Sequence, residues 1–337
     1  MADVQLLAYA EAGFPVVAIA SRTTQRAAGV ARRWNIRTVH QTPLELIEDP
    51  EIEIVDIAFP PDQQPALIRH ALKQKHVRGI LAQKPLTMDF SSAKALVEEA
   101  STSDKVLSVN QNMRFDQSMR VLKQLLERNE LGTPVLGTIE MRAIPHWQPF
   151  LASYDRLTLL NMSIHHLDVL RFLFGDPSEI YTAVRRDPRT KFQHVDGISV
   201  STLKFPSDVM AVTIEDVWSG PREEGFSSDI YIKWRVEGLD GLAQGTIGWP
   251  DYPNGSPSKL GYCSRRTTNG KWVHPSWETM WFPHAFAGVM EQLQFAIKSG
   301  SEPELSAADN LKTMALVEAA YRSASETRAV QLTEFGL

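Results

Sequence analysis

Only one cysteine, Cys263, occurs in 337 residues, so no internal disulfide can form. No Cys/His spacing of the metal-binding type surrounds it, and no metal centre is expected. No apolar run reaches the roughly 18 residues that a membrane helix needs, so no membrane partner is expected. Residues 1–13 have neither a cationic start nor a long apolar stretch, which argues against a signal peptide. Basic residues form no block. The 35 Lys+Arg and 40 Asp+Glu are interspersed and leave a net charge of −5, so nucleic acid is not an expected partner. A reducing, cytoplasmic setting suits a chain with so little cysteine.

The 43 % hydrophobic content is enough for full cores. The length suggests two domains, on a prior of roughly 150 residues each. Residues 1–112 alternate short apolar runs with helical patterns. Val16–Ser21, Ile52–Phe59, Gly79–Ala82 and Val106–Val109 read as buried strands. Val4–Ala12, Thr24–Trp34, Asp62–Lys75 and Ser91–Ala100 read as helices, the last with Ser91 or Ser92 as its N-cap. That alternation predicts an α/β domain with a Rossmann-like, doubly wound parallel sheet. From residue 113 to 337 the pattern changes. Helices over Asp116–Arg128, Ser163–Phe174, Ala285–Ser299 and Ala307–Glu326 flank alternating runs from Val135–Arg142 to Gly241–Ile247. This predicts an α+β domain with a large, mostly antiparallel sheet. Such a sheet leaves a face to cover, so a homo-oligomer, dimer or tetramer, is expected.

Ligands of open parallel sheets bind beyond the carboxyl ends of the strands. Those ends are Ser21-Arg22, Phe59-Pro60-Pro61, Gln83-Lys84-Pro85 and Asn110–Asn112. Five ordered segments, AFPPDQQPALIRHAL, GILAQKPLT, SVNQNMRFDQ, NMSIHHLDVLRFLFGDP and the run from Ala296 to Ala324, resemble successive blocks of Gfo/Idh/MocA oxidoreductases. The resemblance runs from about Asp3 to the end of the chain. It implies a dehydrogenase that moves a hydride between NAD(P) and a hydroxyl carbon of a sugar, sugar acid or cyclitol. It also implies roles for particular residues. Lys84 stands in Gln83-Lys84-Pro85, where the family has Glu-Lys-Pro. Its ammonium would polarise the reacting oxygen. His165 and Asp168 match the helix pattern Asp-x-Gly-x-His-x-x-Asp, while Asn161 and Ser163 depart from it. His165 would be the general acid/base. Asp168, three residues on, would bind substrate and orient the ring. Asn161 cannot accept a proton as a base but can position a hydroxyl. His166 points roughly 100° away from His165 and reads as packed or surface-facing rather than catalytic.

Ser21, Arg22, Pro60, Gln83, Lys84 and Asn112 are the expected cofactor contacts. Ser21-Arg22-Thr23-Thr24 has no acid for a ribose 2′-hydroxyl, so NADP(H) is expected over NAD(H). Trp147, Tyr252 and His284 are expected to face a carbohydrate or polyol. The family's first strand and its Gly-x-Gly-x-x-Gly turn have no counterpart here. In a doubly wound sheet that strand is central, so a gap of about 10 Å, or direct pairing of its two neighbours, is expected. Dinucleotide binding should then be weak or absent. Two alternatives follow: a non-redox carbohydrate-binding or regulatory protein of the same fold, or an NAD-dependent glycoside-cleaving enzyme.

Overall fold

A computed structural model describes residues 2–143, 149–217, 230–248, 255 and 257–336. The chain divides into two compact units. The first is Met1–Asn112 with Pro283–Leu311, the second Met113–Phe282 with Lys312–Leu337. The expected division into 1–112 and 113–337 is corrected at one place: the segment Pro283–Leu311 returns to the first unit. His284 therefore belongs to the cofactor-type unit rather than to the second domain.

In the first unit the order is α1 (Ala2–Glu11), β1 (Ala18–Ile19), α2 (Thr24–Trp34), β2 (Thr38–Val39), α3 (Pro43–Glu48), β3 (Ile54–Ile57), α4 (Gln64–Leu72), β4 (Gly79–Ala82), α5 (Phe90–Ser101) and β5 (Val106–Val109). β2 and α3 escape the sequence reading because neither carries a periodic apolar run. Asp89, not Ser91 or Ser92, caps α5, accepting from Ser92 N at 2.8 Å. A carboxylate one turn earlier competes better for that N–H. Every strand pairing here is parallel.

The pairing is split. β1 and β2 form one sheet and β3, β4 and β5 another. Of the two outcomes expected without a central strand, the chain takes the gap. Val17 O and Ile19 O accept from Thr38 N and His40 N. Alternation then turns the backbone of Ala18 and Ala20 away from β2. By the same alternation, with Glu53 O on the β4 side, Ile54 and Asp56 turn away from β4. All four line a cavity of about 1000 Å³.

Asp56 is a buried carboxylate in the lining of that cavity. Its Oδ2 accepts from Gln5 Nε2 and Tyr9 Oη, both at 2.7 Å. Burial pushes its pKa up to about 6, against the effect of those two donors. The folded chain therefore holds this proton more tightly than the unfolded one. The contribution is full below the ordinary value of 3.8 and is lost as pH rises through about 6. Asp56→Asn should remove that slope. Melting temperatures of the two proteins, compared across this window, test it; parallel curves would contradict it.

The second unit contains α6 (Gln117–Glu127), β6 (Pro134–Arg142), a π-helical segment Thr158–Ser163, α7 (Ile164–Phe174), β7 (Glu179–Arg185), β8 (Ile198–Lys204), β9 (Met210–Asp216), β10 (Tyr231–Gly238), β11 (Gly241–Thr246) and β12 (Lys259–Ser264). In the first unit, α8 (Ala285–Ser299) packs on β4 and β5; its Ile297 presses on Gly79, where a Cβ would collide. α9 (Ala307–Glu326) and β13 (Val330–Gln331) follow. Eight strands order as β12-β11-β10-β6-β9-β8-β7-β13. Among the described residues of this sheet, only β6 and β9 pair in parallel. β8 and β9 alternate strictly in burial. Ser199, Ser201, Thr213 and Glu215 face inward, while Val200 and Ile214 face out. No described helix is long and apolar enough to cross a membrane.

Candidate active-site residues

Lys84 follows β4, whose four residues are all buried. The Lys84–Pro85 peptide bond is cis. One buried side chain, Gln64, holds this turn. Its Nε2 donates to the carbonyls of Gln83, Pro85 and Leu86 at 2.8, 2.7 and 2.9 Å, and its Oε1 accepts from Gln83 N at 3.0 Å. The turn is thus fixed from the first residue of α4. Burial brings the Lys84 amine down from 10.5 to about 7. It can therefore give or take a proton near neutrality, where the sequence reading assumed a fixed ammonium.

The carboxyl ends of β4 and β5 carry a cluster of amides. Asn110, Gln111 and Asn112 are each no more than 3 % exposed. Asn110 Nδ2 donates to Gln83 Oε1 at 3.3 Å. Gln83 Nε2, Asn110 Oδ1 and both polar atoms of Gln111 are buried without a hydrogen-bond partner among the described residues. Buried amides are rarely left so, and four such atoms at strand ends suit a polar ligand.

A nicotinamide dinucleotide can be set against these residues. Ser21, Arg22, Ala58, Phe59 and Pro60 line the cavity, as does Ala2 in the first turn of α1. A cationic and an apolar wall suit a ribose and its base. A helix start favours phosphate, although no Gly-x-Gly-x-x-Gly occurs in the sequence to bring backbone close to it. The orphaned Gln83 Nε2 suits a carbonyl or hydroxyl acceptor. The residues present fit the group. Ser21, Arg22, Phe59, Pro60 and Gln83 would hold it. Asn112, also expected there, begins a short 3₁₀ turn over Asn112–Phe115.

In the second unit, Asn161 lies in the π-helical segment and His165 in the first turn of α7, 5 % and 4 % exposed. π-segments occur preferentially at functional sites. Asp196 fixes this one. Its carboxylate accepts from Leu157 N and Leu159 N, both at 2.8 Å, and from Tyr321 Oη at 2.6 Å. The His165 ring stands edge-on to buried Trp281, with centroids 5.5 Å apart at 86°. Trp281 is therefore a wall for His165.

Asp168 is corrected. Expected to bind substrate and orient His165, it instead takes a bidentate bond from Arg114, at 2.7 and 2.6 Å, and one from Thr313 Oγ1 at 2.7 Å. It is 1 % exposed. Its carboxylate is thus turned to a scaffold pair rather than to the His165 ring. His284 likewise has a protein neighbour: its Nε2 lies 3.5 Å from Glu11 Oε2. Trp147 and Tyr252 lie outside the described residues, where the aromatic expectation rests.

Gln64, Arg114, Asp196 and Tyr321 were missed by the sequence reading, and Gln111 was noted only as part of the strand end Asn110–Asn112. Nothing in a single sequence distinguishes a buried glutamine on a helix from an exposed one. Asp196 precedes Gly197 and reads as an ordinary turn residue.

Residues 2–111 match the family model described as "Oxidoreductase family, NAD-binding Rossmann fold", and residues 119–241 match "GFO/IDH/MocA C-terminal domain". A D-apiose dehydrogenase of Rhizobium rhizogenes is 29 % identical over 332 residues, covering 95 % of this chain and 91 % of that protein. A myo-inositol 2-dehydrogenase of Thermotoga maritima is 26 % identical over 327 residues, covering 94 % and 91 %. The crystal structure of an oxidoreductase from Agrobacterium radiobacter, in complex with NAD+, L-tartaric acid and magnesium, superposes with a TM-score of 0.83 at 25 % identity, covering 99 % and 96 %. Two matched models in the family's order, relatives aligned over nearly the whole chain and a shared fold lead to one conclusion: the chain belongs to the Gfo/Idh/MocA family of oxidoreductases.

Proposed function

We propose that the chain is a dehydrogenase that oxidises a hydroxyl carbon of a sugar, sugar acid or cyclitol with a nicotinamide cofactor. The observation that carries this reading is Lys84. It is an amine with a proton labile near pH 7, at the carboxyl end of a buried parallel strand, in a turn clamped by Gln64. Relatives named for D-apiose and myo-inositol support the substrate class. A bound nicotinamide supplies the acceptor for the hydride. The neutral Lys84 amine accepts the hydroxyl proton as the carbonyl forms, and its ammonium returns that proton in the reverse direction. In the second unit, His165 is the residue whose type and family pattern suit a further acid/base role. Asn161 fixes a neighbouring hydroxyl through its amide. Asp168 acts only through the scaffold.

The cofactor choice falls to the end of β1. Arg22 is exposed, and no carboxylate stands beside it in Ser21-Arg22-Thr23-Thr24. We favour NADP(H) on that ground. Titration of NADPH and NADH into the purified chain, followed by nicotinamide fluorescence, tests the reading. Saturable binding is expected, tighter for NADPH, against the weak or absent binding that lack of the glycine turn alone would imply. Arg22→Ala should weaken NADPH by about tenfold, the value of one charge-assisted phosphate contact, and leave NADH unchanged. No saturable binding of either cofactor would sink the proposal.

The outward face of the large sheet carries Tyr181, Val200, Met210 and Ile214, each at least 40 % exposed. A second copy of the chain covering that face is the assembly we favour.

A further inference from the structure

His166 follows His165 but serves a different contact. It is fully buried, and its Nδ1 lies 2.7 Å from Oε1 of Glu215 on β9, which is equally buried. Against a carboxylate, Nδ1 carries the proton and donates. The rest of the pair is poorly served. His166 Nε2 and Glu215 Oε2 have no hydrogen-bond partner among the described residues, nor do the hydroxyls of Ser163, Ser199 and Thr213. Ser199 pairs directly with Glu215, and Ser201 with Thr213, so these groups lie on one inner face of the sheet.

A buried ionisable pair with unmet hydrogen bonds is a weak source of stability. Apolar side chains of similar volume usually do as well or better. Packing alone therefore does not account for this pair. Its place does. One bond ties the first turn of α7 to β9, beside the segment that carries Asn161 and the turn that carries His165. Asp196 ties the start of that same segment.

We infer that His166 and Glu215 are positioning residues, which fix the register of the π-to-α junction and so aim His165 and Asn161. The inference rests on the reading of His165 as a catalytic group. Removing the outer partners of metal-ligating side chains changes activity by about 10–100-fold, and a loss of that order is expected here.

Three variants test it. Glu215→Gln keeps an acceptor oxygen for Nδ1–H, Glu215→Met removes it, and His166→Phe with Glu215→Met replaces the pair by apolar groups. Turnover, KM for the polyol, thermal unfolding and the ¹⁵N imidazole resonances of His165 are read on each. Glu215→Gln should stay within about threefold of the parent, since the hydrogen bond survives. Glu215→Met should lose about 10–100-fold in kcat with little change in KM. The double variant should melt no lower than the parent, yet show the same loss of kcat and displaced His165 resonances. It also covers the case in which Glu215→Met alone fails to fold. A folded double variant with parental kcat and unmoved resonances overturns the inference, and so does equal kcat in Glu215→Gln and Glu215→Met. If the parent itself shows no hydride transfer, the proposed function has failed instead. The His165 resonances of the double variant then decide the positioning role alone.

Discussion

Lys84→Met is expected to lower kcat by about 10²–10⁴-fold, the usual worth of a positioned acid/base group, while the protein stays folded. The replacement is close in length and shape, so packing around the turn should survive. The Gln64 clamp reaches only backbone atoms of the turn and is untouched by it. Stability should not suffer either. Burial holds the folded-state pKa of Lys84 at about 7, below the ordinary 10.5, so between these values the unfolded chain binds the extra proton. Stability of the parent therefore climbs with pH across that window, and burying the ammonium is a full penalty below it. Lys84→Met removes both the penalty and the climb. In the parent, alcohol oxidation should rise with pH through about 7, as the amine loses its proton. The pH–rate profile and the unfolding curves of both proteins check the two halves separately. A variant that turns over normally would remove Lys84 from the mechanism.

The largest loss of stability is expected from Asp168→Leu, which takes from the buried Arg114 guanidinium its bidentate carboxylate partner. Breaking one side of a buried, hydrogen-bonded pair typically costs about 3–5 kcal/mol. Arg114 is 5 % exposed and Asp168 1 %, so water cannot replace the missing partner. Thr313 loses its acceptor at the same time. Replacing both charges, as Arg114→Met with Asp168→Leu, should recover most of the loss, because no charge then remains unpaired. Urea unfolding of the three proteins measures it. A single variant within about 1 kcal/mol of the parent would place the pair with exposed ion pairs and contradict the account.

These two residues show what a single sequence discloses. Lys84 was legible because a strand end, Gln-Lys-Pro and four neighbouring blocks converge on one position. Asp168 was legible as important but not in its role. Its spacing from His165 shares a helix face, yet the stronger donor, Arg114, lies 54 residues away, and charge pairing across that separation leaves no local trace. The long periodic helices and alternating strands were read close to their observed bounds. β2, with two residues, and α3, with six, carry too little pattern to be seen. The central gap was one of two outcomes left open by the sequence. Two open edges around a cavity prevail over direct pairing of β1 with β3. The return of Pro283–Leu311 to the first unit was invisible, because α8 is amphipathic and fits either domain by pattern alone. His166 was set aside as packed or surface-facing and Glu215 drew no notice inside its strand, since burial in sequence looks the same whether or not it serves a site.

The most direct test of the central claim is a spectrophotometric assay at the nicotinamide absorbance band. The purified chain is mixed with millimolar NADP+ or NAD+ and a panel of sugars, sugar acids and cyclitols, beside Lys84→Met. The account predicts reduced nicotinamide from at least one polyol, faster above neutral pH, and nearly none from the variant. No reduction with any member of the panel, under conditions where the cofactor binds, would contradict it and leave a carbohydrate-binding protein of dehydrogenase fold.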